Sequence, residues 1–143
     1  MYKNILIATD GSELATSAIQ NGIYLAKSTG SKITAVNVSE PFYWFDPNMI
    51  QEAEPAYIAG VNQVAAKALA AVADAAKAAG VACETVHVEG QMPYLGIIWV
   101  ANTKHCDLIV MTSDGRKGVS AFVLGSETVK VLTHSRIPVL VCH

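Results

Sequence analysis

The sequence predicts an α/β domain, a single five-stranded parallel sheet with helices on both faces. Three observations carry that expectation. Short unbroken apolar runs, among them Ile5-Leu6-Ile7-Ala8 and Leu108-Ile109-Val110-Met111, fit strands covered on both sides. Stretches with helical spacing alternate with such runs four times before a last strand, a pattern that implies right-handed crossovers. Over residues 107–128 a strand, a glycine-bounded loop and a helix start follow one another.

Residues 2–9 read as the first strand. Asp10-Gly11-Ser12-Glu13 turns into a helix with Ser12 or Asp10 as N-cap, which stops at Thr29-Gly30. Its apolar positions Ala15, Ala18, Ile19, Ile23, Leu25 and Ala26 keep roughly helical spacing. Residues 32–39 are the second strand. Residues 40–55 form a long connection holding Phe42, Tyr43, Trp44 and Phe45 between Pro41 and Pro47. Those aromatics sit after a strand end, where they suit a lid; packing over apolar surface or against a partner chain is the favoured reading.

A long alanine-rich helix is expected over residues 61–79, with Val61, Val64, Ala68, Val72, Ala75 and Ala79 on one stripe and Gly80 closing it. Residues 82–88 are the third strand. Gly90-Gln91-Met92-Pro93 turns into a helix reaching Lys104, in which Trp99 is read as a packing residue. Residues 107–111 are the fourth strand. A helix opening at Gly125-Ser126-Glu127-Thr128 ends near His134, and residues 137–142 are the fifth strand, with Pro138 at its start, where a missing N–H is tolerated.

The 143 residues make one domain of ordinary size, with no internal repeat or linker. Apolar residues are 52%, enough for a substantial core. A formal charge of -2 leaves no electrostatic footprint for nucleic acid. No apolar run approaches the ~18 residues of a bilayer span, and Met1-Tyr2-Lys3-Asn4 leads into a strand without a signal-peptide pattern. The expectation is a cytoplasmic protein without nucleic-acid or membrane partners. Cys83, Cys106 and Cys142, odd in number and set in apolar segments, read as buried reduced thiols. His87, His105, His134 and His143 lack paired ligand spacing, so no metal site is expected. The chain carries no G-x-x-x-x-G-K-[ST], no G-x-G-x-x-G after the first strand and no G-x-S-x-G elbow.

What remains is an anion cradle. Glycines let backbone N–H groups approach a phosphate, and a helix N-terminus adds unpaired donors and about half a positive charge. Ser126 and Thr128 bring hydroxyls to that end. In doubly wound sheets a ligand lies beyond the carboxyl ends of the strands, where the strand order reverses. With the order 3-2-1-4-5, Asp10 after the first strand faces the turn Thr112-Ser113-Asp114-Gly115, suiting ribose hydroxyls on one wall and phosphates on the other. With the order 2-1-3-4-5 the crevice falls elsewhere, and these residue patterns leave both orders open. Asp10 as a simple helix cap and Gly125-Ser126 as a simple helix start are the plainer alternatives. In the first order the apolar fifth strand is an unprotected edge, and the same strand of a second copy would cover it, making a homodimer through residues 137–142.

The chain resembles the universal stress protein family over its whole length. The likeness rests on Ile5-Leu6-Ile7-Ala8-Thr9-Asp10-Gly11-Ser12-Glu13, Asp107-Leu108-Ile109-Val110-Met111 and Ile137-Pro138-Val139-Leu140-Val141. Nucleotide-binding members carry G-x2-G-x9-G-[ST] after the fourth strand. Here the same spacing reads Thr112, Gly115, Gly125, Ser126, with threonine in place of the first glycine. The resemblance implies the 3-2-1-4-5 order of a Rossmann-like, adenine nucleotide alpha hydrolase-like sheet, dimers, and an ATP or AMP site, with or without Mg²⁺. It implies a stress-response factor with at most slow ATP hydrolysis. Ala8, Thr9 and Asp10 would line the adenosine end, with Asp10 on the ribose, and Val38 would contact adenine through its backbone. Gly115, Gly125, Ser126 and Thr128 would hold phosphates, with Thr112 and Glu127 counted in the same site. Thr112 is strained if its position needs positive φ; if the glycine serves close approach, the side chain narrows the pocket. Arg116 and Lys117 suit phosphate charge or a solvated turn, and Gly118 adds mobility. Two other functions stay in view, a member that binds no nucleotide and works as an interaction module, and a flavodoxin-like electron carrier.

Overall fold

The computed structural model describes residues 1–41, 50–113 and 124–143, and the side chains of all these except 50–54. The chain runs β1 (Asn4–Ala8), α1 (Ala15–Thr29), β2 (Lys32–Ser39), α2 (Ile50–Ala78), β3 (Cys83–Glu89), α3 (Pro93–Thr103), β4 (Leu108–Thr112), α4 (Ser126–His134) and β5 (Val139–Cys142). The sheet is parallel throughout, in the order β3-β2-β1-β4-β5. This is the order the resemblance implied, and the alternative 2-1-3-4-5 falls away.

Alternation along each strand divides the core in two. Ile5, Ile7, Ile33, Ala35, Leu108 and Val110 face α1 and α2, where Ala18, Ile23, Ala26, Leu69, Val72 and Ala76 meet them. Leu6, Val36, Ile109 and Met111 face α3 and α4, where Ile97, Val100, Ala101 and Val131 meet them. Two helical glycines set how closely the layers approach. A Cβ on Gly22 would come within 2.5 Å of Ile7, and one on Gly96 within 2.7 Å of Val38.

Several boundaries depart from the sequence reading. Helix α2 begins at Ile50 instead of 61 and carries Pro55 inside it. Proline reads as a breaker because it lacks an N–H and crowds the preceding turn, which hid the helix start. The buried stripe of α2 is Ala65, Ala68, Leu69, Val72 and Ala76, rotated from the expected one, while Val64 is 47% exposed. In a helix so rich in alanine, several stripes fit the spacing equally well. By length and composition the segment Pro55–Ala78 is apolar enough to cross a membrane, which corrects the expectation that nothing in the chain reaches that length. Alanine supplies both that character and the small face lying on the sheet.

Trp99 was expected to pack and is 60% exposed. The N-cap expectation for α1 also fails. The helix has no side-chain cap, because the Asp10 carboxylate serves the turn before it. β5 is two residues shorter than expected at its start. The aromatic group 42–45 lies outside the described residues.

The three cysteines are free thiols, Cys106 and Cys142 buried and Cys83 half-buried. Burial pushes all three thiols above their ordinary value of 9.0, which keeps them protonated and unreactive.

Candidate functional site

The strand order reverses between β1 and β4, and neighbouring strands part company there to leave a crevice at their carboxyl ends. A cavity of about 820 Å³ fills it. Its floor is the ends of β1, β2 and β4, and its walls are α2 on one side and the starts of α3 and α4 on the other.

The β1 wall is a pinned turn. The Thr9 amide donates to the Val36 carbonyl at 3.0 Å. The Thr9 carbonyl accepts from Asn37 Nδ2 at 2.9 Å, and its hydroxyl oxygen accepts from the Gly11 amide at 3.2 Å. Asp10 Oδ1 accepts from the Ser12 amide at 2.9 Å and from the Ser12 hydroxyl at 2.6 Å. This Asx turn holds one carboxylate oxygen and leaves Oδ2 as the acceptor for a ligand. The chain escapes only because residue 11 is glycine. Its φ is +82°, and a Cβ there would stand 3.2 Å from Ala68 Cβ on α2.

The opposite wall is the start of α4. Gly125 is extended, with φ -63° and ψ 153°, and no side chain caps the helix. The Gly125 amide donates to the Ser113 carbonyl at 2.6 Å, tying the helix start to the end of β4. Ser126 is exposed beside the first-turn N–H groups. These are the donors an anion uses at a helix N-terminus. Thr112 ends β4 in strand geometry, and among the described residues His105 is the only non-glycine with positive φ. The threonine is therefore unstrained, and it lines the cavity.

Two residues on this wall work differently from the expectation. Thr128 is buried, and its hydroxyl donates to the carbonyl of Thr112 at 2.9 Å, with Ser113 at 3.4 Å. Its one proton is committed to the backbone, so Thr128 fastens α4 to β4 instead of offering a donor to phosphate. Glu127 Oε2 accepts from the Tyr94 amide at 3.0 Å, capping α3, and Oε1 pairs with Lys130 at 3.2 Å. Lys130 also lies 5.6 Å from the Tyr94 ring centre. The carboxylate is thus a clasp between α3 and α4 with its charge partly neutralised.

All the described candidates border this one cavity: Ala8, Thr9, Asp10 and Val38 on the β1–β2 side, Thr112, Gly125, Ser126, Glu127 and Thr128 on the β4–α4 side. Gly115, with Arg116, Lys117 and Gly118, lies outside the described residues. The sequence reading missed Asn37, Ser39, Tyr57, Gly60, Val64 and Ile97, which line the same space. Tyr57 donates to the Glu40 carbonyl at 3.0 Å, joining α2 to the end of β2. A polar Asn37 between Val36 and Val38 was a legible signal, whereas the α2 residues were hidden by the misplaced helix start.

A model of the universal stress protein family matches residues 1–143. A universal stress protein of Methanocaldococcus jannaschii, MJ0531, is 32% identical over 143 residues, 99% of this chain and 82% of that protein. One from Thermus aquaticus is 31% identical over 142 residues, 98% of each chain. Among solved structures, the protein MJ0577 superposes with a TM-score of 0.76 at 26% identity, covering 99% of this chain and 95% of that one. A universal stress protein in complex with cAMP gives 0.68 at 24% identity, covering 99% and 97%. One from Archaeoglobus fulgidus in complex with dAMP gives 0.69 at 19% identity, covering 98% and 97%; these last two likenesses speak to the fold alone. Strand order, whole-chain family match and curated relatives agree, and the chain belongs to the universal stress protein family.

Proposed function

We propose that this protein binds an adenine nucleotide, ATP or AMP with or without Mg²⁺, and acts as a dimeric stress-response regulator in the cytoplasm. The observation that carries the reading is the convergence of the Asp10 turn, the end of β2 and the uncapped start of α4 on one cavity. The start of α4 suits phosphate, with Gly125 and Ser126 nearest and Gly115 completing the motif. Asp10 Oδ2 suits the ribose hydroxyls, since a carboxylate can accept from both. The wall left over is apolar, formed by Val38, Val61, Val64 and Ile97, and it suits the base. Glu127 is spent on the Tyr94 amide and Lys130, so among the described residues no carboxylate at the phosphate end is free to activate water. Turnover is accordingly slow or nil.

Thermal melting with Mg-ATP tests this. At 100 times Kd a ligand adds about 2.7 kcal/mol, which at this chain length raises Tm by roughly 5–10 °C. No shift at millimolar ATP refutes the reading. It would favour the interaction module, a reading to which one feature lends weight: the Glu127 carboxylate and the Thr112 side chain both stand where a triphosphate needs room and positive charge.

The dimer would form through β5, which among the described residues pairs only with β4 and presents Leu140 at 37% exposure. An apolar edge of this kind needs a cover. Light scattering on the wild type and on Leu140→Lys decides: a dimer that the substitution turns into a monomer is expected, and a monomeric wild type refutes it.

A further inference from the structure

We infer that Ser39, His87 and Glu89 form a polar relay, one hydrogen bond and one longer charge contact, that makes the base end of the cavity select an amino group over a carbonyl, and hence adenine over hypoxanthine or guanine. The inference rests on the adenylate reading above and assigns the part of the site that recognises the base.

Ser39 and Glu89 are register partners on β2 and β3, and His87 pairs with Asn37 one step away. Side chains two apart on a strand share a face, so all three stand together at the carboxyl ends of the two strands. Ser39 Oγ lies 2.6 Å from His87 Nε2. His87 Nδ1 lies 3.7 Å from Glu89 Oε1. The Ser39 carbonyl is held by the Gln91 amide at 3.2 Å, so the residue is fixed at both ends. Ser39 borders the cavity beside Val38, on the wall that phosphate and ribose leave for the base.

The chemistry follows from proton counting. The carboxylate beside Nδ1 favours the imidazole tautomer with its proton there. Nε2 is then an acceptor and takes the single proton of the Ser39 hydroxyl. Ser39 Oγ can offer only lone pairs to the cavity. The exocyclic amino group of adenine donates to such an oxygen. The carbonyl at the same position of hypoxanthine or guanine is itself an acceptor, and it would meet Ser39 lone pair to lone pair. Leaving a buried polar group unpaired corresponds to about 10- to 100-fold in affinity.

The test is calorimetric titration with Mg-ATP and Mg-ITP of the wild type, Ser39→Ala, His87→Ala and the double variant. The wild type should favour ATP by about 10- to 100-fold. Ser39→Ala removes the acceptor and should bring the two nucleotides together. His87→Ala should do the same with Ser39 still present, because the freed hydroxyl can turn its proton toward a carbonyl. The double variant should lose no more than either single one, as expected of groups acting in series. A wild type that binds ATP without preference, or a preference that survives Ser39→Ala, overturns the inference and leaves the adenylate reading standing. A preference lost in Ser39→Ala but kept in His87→Ala overturns the relay. A wild type that binds neither nucleotide refutes the adenylate reading itself, and this inference with it. Melting curves without nucleotide show whether each variant is folded; should His87→Ala unfold, Ser39→Ala alone still decides whether the acceptor selects the base.

Discussion

Gly11 allows the sharpest prediction. It stands immediately after Asp10 with φ +82°, and a Cβ there would sit 3.2 Å from the Cβ of buried Ala68. Gly11→Ala therefore meets two costs. A non-glycine residue in the left-handed region costs about 1–3 kcal/mol. The Ala68 contact is tighter than ordinary packing, and α2 lies too closely on the sheet to yield freely. Against these, alanine restricts the unfolded chain and returns about 0.4–1 kcal/mol. The net loss is about 1–2 kcal/mol, and Tm should fall by roughly 3–8 °C. The same chemical change at Gly60 provides the control. Gly60 lies inside α2 with nothing within 4 Å of a new Cβ and no positive φ. Gly60→Ala should gain about 0.5–1 kcal/mol of helix propensity and raise Tm by roughly 2–4 °C. Circular-dichroism melts of both variants read the two signs directly. Equal Tm values for Gly11→Ala and the wild type would refute the argument that this turn depends on glycine. A nucleotide titration adds the functional half, since displacing the turn moves Asp10 and should weaken ATP binding in Gly11→Ala.

Further outcomes follow from the same geometry. Asp10→Asn should weaken ATP by about 10- to 100-fold, the range of a charge-assisted hydrogen bond; calorimetry with ATP and with an analogue lacking both ribose hydroxyls checks it, because the analogue should not distinguish variant from wild type. Thr112→Gly restores the family's motif residue at a position that already has strand geometry. It should cost about 0.5–1 kcal/mol of stability while tightening ATP more than AMP, read by melting and titration. The three thiols are raised by burial above 9.0, so their contribution is complete below the unfolded thiol value and is lost as pH climbs through the folded ones. Urea midpoints should fall from pH 9 upward, and the fall should shrink in Cys106→Ala; a midpoint indifferent to Cys106 across that range would count against the assignment.

Much of the fold was legible because it depends on local pattern. Unbroken apolar runs mark strands covered on both faces, and four alternations with helical segments leave few arrangements other than a parallel sheet. The site was legible to the extent that backbone chemistry announces itself in residue type. Asp10, before its glycine, and the Gly125-Ser126 helix start both stand on the cavity. What failed had a common cause, ambiguity of small or special residues. Alanine fits any stripe of α2, so the buried one could be read only from the sheet it meets. Pro55 reads as a stop and lies within a helix.

Taken alone, then, the order of residues determined the class of fold, the number of strands and the two turns proposed to meet an anion and a sugar, because these follow from periodicity and from what glycine, serine and aspartate do locally. The tertiary structure decided three other things. It chose between two strand orders, and so brought the β1 and β4 turns to one crevice. It committed the Thr128 hydroxyl and the Glu127 carboxylate to α3, α4 and β4. It joined Ser39 to His87 across 48 residues of chain. Each depends on partners distant in sequence, and a hydrogen bond spends a proton or a lone pair that no inspection of a single residue can assign.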